Sequence, residues 1–208
     1  MEEPVFFEVP HGPRLEGSLD ASGHDRAGLV VCHPHPVYGG DMDNPVVTRT
    51  AEVAREAGLA TLRFNFRGAG ASEGVHDRGA GEQDDVRAAV KMLRARIGEG
   101  RLGLAGYSFG AWVSARVAAA EPGLAALGLI APPVAMLDFD ISLPAHLDVS
   151  IVAGTRDEYC PPNELARLAA RIPHARAVSI DGAEHFFFGK LFPLGEAIRG
   201  WIAGWATS

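Results

Sequence analysis

The chain has 208 residues, of which 47% are hydrophobic, and its formal net charge at pH 7 is −7. This length suits one domain with a sizeable core, over residues 1–208, whereas two domains would each be small. The negative charge, with Lys and Arg scattered along the chain, argues against nucleic acid or an acidic membrane as a partner.

Strand-like and helix-like segments alternate after an antiparallel start. Apolar segments at 5–9 and 15–19 flank a turn at 10–13, which predicts an antiparallel strand pair. Short apolar runs then alternate with amphipathic segments of 3.6-residue spacing. Strands are predicted at residues 29–32, 61–65, 102–105, 127–130, 150–153 and 177–180, and helices at 46–57, 83–96, 111–120, 163–171 and 194–205. This pattern predicts an α/β fold with a mostly parallel central sheet and helices on both faces.

The sequence GYSFG at residues 106–110 places a serine between two glycines, after an apolar run and before a helical pattern. At such a strand-to-helix turn the serine backbone is strained, so the residues two positions away on either side must lack bulk. The turn lifts the hydroxyl out of the sheet, and the helix begins beneath it with free N–H groups. The pattern therefore predicts a nucleophile elbow at Ser108.

Two later residues can activate this serine. A serine hydroxyl needs a histidine base that is oriented by a carboxylate. Asp157 follows an apolar segment at 149–153, and His185 follows another at 177–180. Both, like Ser108, fall after predicted strands, at the edge where open α/β sheets bind their ligands. We therefore predict a triad of Ser108, His185 and Asp157.

Together these residues resemble the α/β-hydrolase superfamily, and two upstream segments, 30–40 and 64–74, extend the match over nearly the whole chain. The chain is similar to the small, lid-poor branch related to dienelactone hydrolases and short-chain esterases. The resemblance implies a single-domain α/β-hydrolase fold without a large cap, since residues 132–144, where larger members insert one, are short. An open site favours small or water-soluble acyl substrates.

The resemblance also implies an oxyanion hole made of two backbone N–H groups. The amide of Phe109, after the nucleophile, is the first. The upstream loop usually reads His-Gly in this family, but Pro34 and Pro36 stand here and have no N–H to donate. Alignment with the family pattern implies the N–H of His35 as the second donor, with Val37 as the fallback.

Other readings of single residues stay open. The triad acid could be Glu158, or Asp138 or Asp140 in the connection where some family members carry it. His33 and His35 could share a metal ion, but no carboxylate or cysteine cluster completes a ligand set. We expect them to shape the loop, and we expect no metal and no cofactor.

The N-terminal sequence, the lengths of the apolar runs and the number of cysteines indicate a cellular compartment. The N-terminus is acidic and lacks a signal-peptide pattern, and no apolar run reaches the ~18 residues that span a bilayer. Cys32 and Cys160 are too few for a disulfide framework, so we interpret them as free thiols. Because both could approach the site, a redox role stays open. These features predict a cytoplasmic protein.

We therefore predict a carboxylesterase-like serine hydrolase that cleaves esters or thioesters of small acyl groups through an acyl-enzyme. Tyr38, Tyr107 and Phe186 are expected to line the substrate pocket. Alternatives are another chemistry on the same fold (a dienelactone-type hydrolase, a peptidase or an acyl transferase) and a non-catalytic binding or interaction protein. A homo-oligomer is left open.

Overall fold

The computed structural model describes residues 2–21, 26–172 and 174–206, and in this part of the chain eight strands form one sheet. The strands are β1 (Glu3–Glu8), β2 (Arg14–Asp20), β3 (Ala27–Cys32), β4 (Ala60–Phe64), β5 (Arg101–Tyr107), β6 (Leu124–Ile130), β7 (Asp148–Gly154) and β8 (Arg176–Ile180). Their spatial order is β1-β2-β4-β3-β5-β6-β7-β8. The pairs β1–β2 and β2–β4 are antiparallel. The other five pairs, from β4–β3 to β7–β8 in this spatial order, are parallel.

Five α-helices cover the sheet in the described residues: α1 (Pro45–Glu56), α2 (Ala80–Ile97), α3 (Phe109–Ala120), α4 (Pro162–Arg171) and α5 (Leu191–Trp205). The side chain of Asn44 caps α1 by accepting a hydrogen bond from the N–H of Val46. The apolar residues of α1 and α5 pack on one face of the sheet, and those of α2, α3 and α4 pack on the other. The predicted α/β fold, with its antiparallel start, is confirmed.

The central strands are buried on both faces, which explains their nearly continuous apolar sequences. All six residues of β3 are buried, as are all of β5 except Arg101. Burying one Leu or Val side chain contributes about 1.5–3 kcal/mol, so these strands supply much of the driving force for folding. β5 continues to Tyr107, two residues beyond the predicted end at 105, and stops where Ser108 takes a positive φ.

The strand register aligns the carboxyl ends of the parallel strands at one edge of the sheet. Cys32 pairs with Gly106, and Gly154 pairs with Ile180. The loops after β3, β5, β7 and β8 therefore emerge side by side. These loops carry the residues predicted from the sequence to form the site.

The connection between β6 and β7 is short and irregular. Within the described chain it contains no helix or strand between Ile130 and Asp148. Phe139 is buried in the core and anchors this connection, while Met136 is exposed. The expected absence of a large cap over the sheet edge is confirmed. None of the described helices has the length and apolar character needed to cross a membrane.

Candidate active site

Ser108 lies at the junction of β5 and α3 with φ 55° and ψ −118°, a conformation that L-residues rarely adopt. A Cβ atom at Gly106 would lie 2.2 Å from the carbonyl oxygen of Gly110. A Cβ atom at Gly110 would in turn lie 2.5 Å from the carbonyl oxygen of His33. The two glycines are therefore needed because backbone passes on both sides of the turn.

Hydrogen bonds hold this strained turn in place. The N–H of Ser108 donates to the carbonyl oxygen of Ile130 at 2.9 Å, and the carbonyl of Ser108 accepts from the N–H groups of Ala111 and Trp112. The first N–H groups of a helix have no acceptor within the helix. The amide of Phe109 opens α3 and is of this kind, so it is available to a negative charge beside Ser108.

His185 lies between Ser108 and Asp157. Its Nε2 is 3.0 Å from Ser108 Oγ, and its Nδ1 is 3.0 Å from Asp157 Oδ2 and 3.1 Å from Oδ1. A carboxylate accepts only, so Nδ1–H donates to Asp157 and Nε2 is left to accept the serine proton. The structure thus brings together the three residues predicted as a triad.

Asp157 is held by main-chain donors and is only 2% exposed. Its Oδ1 accepts hydrogen bonds from the N–H groups of Tyr159 (2.8 Å) and Cys160 (3.0 Å). The loop itself is fixed because the N–H of Arg156 donates to the carbonyl of Ala183. The carboxylate and the histidine loop therefore form one hydrogen-bonded unit.

The alternative acids lie elsewhere. Asp138 accepts from the N–H of Asp140 at 2.8 Å, and Asp140 forms an exposed ion pair with Arg171. Glu158 is also exposed. The carboxylate that contacts His185 is that of Asp157.

His33 shapes the loop after β3, as expected. Its Nδ1 is 2.6 Å from the carbonyl oxygen of Pro34 and donates to it, and its Nε2 accepts from the N–H of Phe66 at 2.9 Å. Burial lowers the pKa of His33 to about 4, which keeps the ring neutral. Both ring nitrogens are thus engaged. The described residues contain no group of three or more His, Cys, Asp or Glu side chains that could hold a metal ion.

The backbone of His35 lies at the start of a short 3-10 turn, Pro36–Tyr38. The N–H of Val37, the fallback oxyanion donor, is occupied by His35 Nδ1 at 3.3 Å. Among the described residues no acceptor is hydrogen-bonded to the N–H of His35. The ring of His35 packs against that of Phe109 with 4.7 Å between centroids, so this loop lies beside the nucleophile turn.

A second histidine–carboxylate contact borders this loop, and the sequence reasoning missed it. His76 Nδ1 lies 2.8 Å from the buried Glu82 Oε1, and the rings of His76 and His35 are 4.6 Å apart. Glu82 also accepts from the N–H groups of Asp77 and Gly79. The sequence does contain a signal for the role of Glu82, because a glutamate three residues after the N-cap, here Gly79, often accepts hydrogen bonds from backbone N–H groups at the start of a helix.

Arg67 is also structural. Its guanidinium and backbone N–H donate to the carboxylate of Asp85, which is fully buried. Desolvation by burial raises the pKa of Asp85, and the bonds from Arg67 oppose that rise. The pair fixes the loop after β4 against α2.

The three aromatic residues expected to line the pocket differ in their environment. Tyr38 is 85% exposed and Phe186 is 54% exposed. Tyr107 departs from the expectation, since it is 2% exposed and its hydroxyl donates to the carbonyl oxygen of His185 at 3.0 Å. Its side chain lies beneath the histidine loop and supports it instead of forming a pocket wall.

Both cysteines are buried. Desolvation by burial raises the pKa of Cys32 and of Cys160 to about 12. The N–H of Cys160 donates to Asp157.

A cavity of about 610 Å³ lies at the opposite, amino-terminal ends of the parallel strands, where β5 and β6 begin. Arg94, Arg101 and His146 are among its lining residues. It is therefore separate from Ser108, His185 and Asp157, which lie at the open carboxyl edge.

Comparisons with known proteins show what this chain is similar to. The model of the X-Pro dipeptidyl-peptidase (S15) family matches residues 29–144, a range that includes Ser108 and ends before Asp157 and His185. An uncharacterized protein of Rickettsia prowazekii (strain Madrid E) is 32% identical in an alignment of 209 positions, which covers 95% of this chain and 87% of that protein.

Among the solved structures that match almost the entire chain, two are similar in sequence as well as in fold. One is an α/β serine hydrolase without a lid from Xanthomonas campestris, with 36% identity, a TM-score of 0.89, and coverage of 100% of this chain and 96% of that one. The other is an α/β serine hydrolase homologue from Coxiella burnetii, with 36% identity, a TM-score of 0.85, and coverage of 95% and 96%.

Proposed function

The chain belongs to the X-Pro dipeptidyl-peptidase (S15) family within the α/β-hydrolase superfamily, and on that premise we propose that it hydrolyses carboxylic esters or thioesters of small acyl groups. The observation that carries the proposal is the chain of contacts from Ser108 Oγ through His185 to Asp157, each about 3 Å long. These contacts meet the geometric requirement for nucleophile, base and orienting acid.

In the proposed acylation, Ser108 Oγ attacks the acyl carbonyl while His185 Nε2 accepts the serine proton. The tetrahedral intermediate then collapses, and the bond to the leaving oxygen or sulfur breaks as His185 returns the proton to it. Asp157 holds the Nδ1–H tautomer of His185 and stabilises the imidazolium that forms. Each side chain thus acts from its present position.

The negative oxygen of the intermediate would be bound by the backbone N–H groups of Phe109 and His35. The Phe109 amide is supported by its place at the start of α3, and the His35 amide by its lack of an acceptor among the described residues. A water molecule, activated by His185, then hydrolyses the acyl-enzyme. None of these steps draws on a metal or a cofactor.

The small-acyl preference rests on the short connection between β6 and β7. Without a cap, an additional acyl methylene is buried only in part, and full burial of one contributes only about 0.8 kcal/mol. We expect kcat/KM for nitrophenyl esters to be highest from acetyl to butyryl. A steady rise to acyl chains of twelve carbons would contradict this part of the proposal.

The family model suggests a second candidate, the cleavage of a dipeptide from a chain with proline at the second position. The same three side chains would serve, with an amine as leaving group. Alanyl-prolyl-nitroanilide and nitrophenyl acetate should be compared on the wild type and on Ser108→Ala. Efficient cleavage of the anilide with slow cleavage of the ester would replace the ester proposal by the peptidase one.

A further inference from the structure

Three phenylalanines follow His185, and they differ in solvent exposure. Phe187 is fully buried, whereas Phe186 is 54% exposed and Phe188 is 79% exposed. Phe187 adopts a φ of 53°, which is uncommon for a bulky residue. Its ring packs against Tyr107, whose hydroxyl also bonds the carbonyl of His185.

The buried ring of Phe187 fixes the loop in a conformation that leaves the rings of Phe186 and Phe188 exposed to solvent. The rings of Phe186 and Phe188 lie 5.8 Å apart and are tilted by 32°. Phe186 also meets the ring of His185 edge to face at 5.4 Å. A strained backbone persists only where its surroundings enforce it, and such positions cluster at functional sites. The exposed pair, Phe186 and Phe188, is thus built into the histidine loop.

The chemistry defines which part of a substrate would meet this pair. His185 must hand its proton to the leaving oxygen, so the leaving group lies on the side of His185. The carbonyl oxygen lies instead toward the Phe109 N–H, where α3 begins. An alcohol substituent that extends past the His185 ring would therefore approach Phe186, whose ring contacts that of His185.

We propose that Phe186 and Phe188 form a subsite for an aromatic group on the alcohol side of an ester, an inference that rests on the proposed hydrolase function. Aromatic rings prefer tilted or offset contacts at centroid distances of 4.5–7 Å, and the pair already has that spacing. Tyr159 also packs on His185, with 4.5 Å between the ring centroids. The exposed phenylalanines thus contact the leaving group and not the acyl chain.

Three esters separate the two sides of the substrate. Benzyl acetate carries a ring on the alcohol, ethyl phenylacetate carries it on the acyl group, and ethyl acetate carries none. The alcohols released are of similar acidity, so leaving-group chemistry differs little. We expect the wild type to prefer benzyl acetate in kcat/KM, and Phe186→Ala/Phe188→Ala to lower that value roughly three- to tenfold, the range of one or two aromatic contacts.

Because Phe186 also contacts His185, the test compares ratios of kcat/KM. In the double variant the value for benzyl acetate relative to ethyl acetate should fall roughly three- to tenfold, whereas the value for ethyl phenylacetate relative to ethyl acetate should change by less than about twofold. Phe6→Ala is the matched control, because Phe6 is an exposed phenylalanine on β1 at the far edge of the sheet. An equal loss on all three esters, a selective loss on ethyl phenylacetate, or a change of oligomeric state without a change in ester selectivity would overturn the subsite. Turnover of ethyl acetate that Ser108→Ala abolishes would still support the proposed function in each of these cases.

Discussion

The backbones of Gly106 and Gly110 meet at the turn that carries Ser108, so that a Cβ atom at 106 would lie 2.2 Å from the carbonyl oxygen at 110. The obstacle is main chain on both sides and cannot rotate away. The position of Ser108 Oγ relative to His185 therefore depends on a contact that tolerates only hydrogen at these two α-carbons.

We expect Gly106→Ala to destabilise the protein by about 1–3 kcal/mol, the usual cost of overpacking a close-packed site, and to lower kcat as Ser108 shifts. Urea unfolding and ester turnover measure the two effects. Gly200→Ala in α5 is the control, because its new Cβ would meet nothing within 4 Å. That exchange should stabilise by about 0.5–1 kcal/mol. Equal stability of both variants would contradict the steric account.

Asp157→Asn should lower kcat on the order of 10⁴-fold, as the same exchange does in serine proteases. The asparagine oxygen can still accept from the N–H groups of Tyr159 and Cys160, so the loop stays folded. Its NH₂ group would face His185 Nδ1 and favour the wrong tautomer. Side-by-side kinetics with Asp138→Asn, which should cost little, test the assignment, and the reverse ranking would move the acid to residue 138.

The native protein should not react with thiol reagents. Only the thiolate is reactive, and both Cys32 and Cys160 are fully buried with pKa values raised to about 12. Titration with a disulfide reagent at pH 8 should modify almost no thiol in the native state and both in denaturant. Rapid modification of one thiol in the native protein, with loss of turnover, would contradict this prediction and would support a redox role for that cysteine.

Stability should fall in weak acid because of His33. Its folded-state pKa is lowered to about 4 by burial, while the unfolded value is near 6.5, so the unfolded chain binds the proton first. The contribution is fully present above pH 6.5 and is lost as the pH falls toward 4, by roughly 3 kcal/mol. NMR titration of the histidines with urea unfolding at each pH checks this. A His33 resonance that titrates near pH 6.5 would refute it.

The strands, helices and three site residues could be predicted because each leaves a local signal. Sheets covered on both faces require apolar runs such as 102–105, and the turn of Ser108 requires glycines. The same burial hides which side of a strand faces the site. Tyr107 was expected to line the pocket, yet a strand without polar alternation gives no sign that its last side chain lies beneath His185.

Contacts between distant loops could not be predicted. His76 contacts His35 and Phe109 because the β4–α2 loop lies over the start of α3. The exposed positions of Phe186 and Phe188 depend on the positive φ of Phe187, and the sequence of three phenylalanines does not indicate which of them adopts it. The availability of the His35 amide likewise depends on the 3-10 turn at Pro36–Tyr38.

The most direct test of the account is covalent labelling with a fluorophosphonate, followed by intact and peptide mass spectrometry. We expect one adduct, located on Ser108, and no adduct on Ser108→Ala, which should retain its fold and lose ester turnover by on the order of 10³-fold or more. Labelling at another residue, or more than a tenth of wild-type turnover in Ser108→Ala, would show that Ser108 is not the nucleophile.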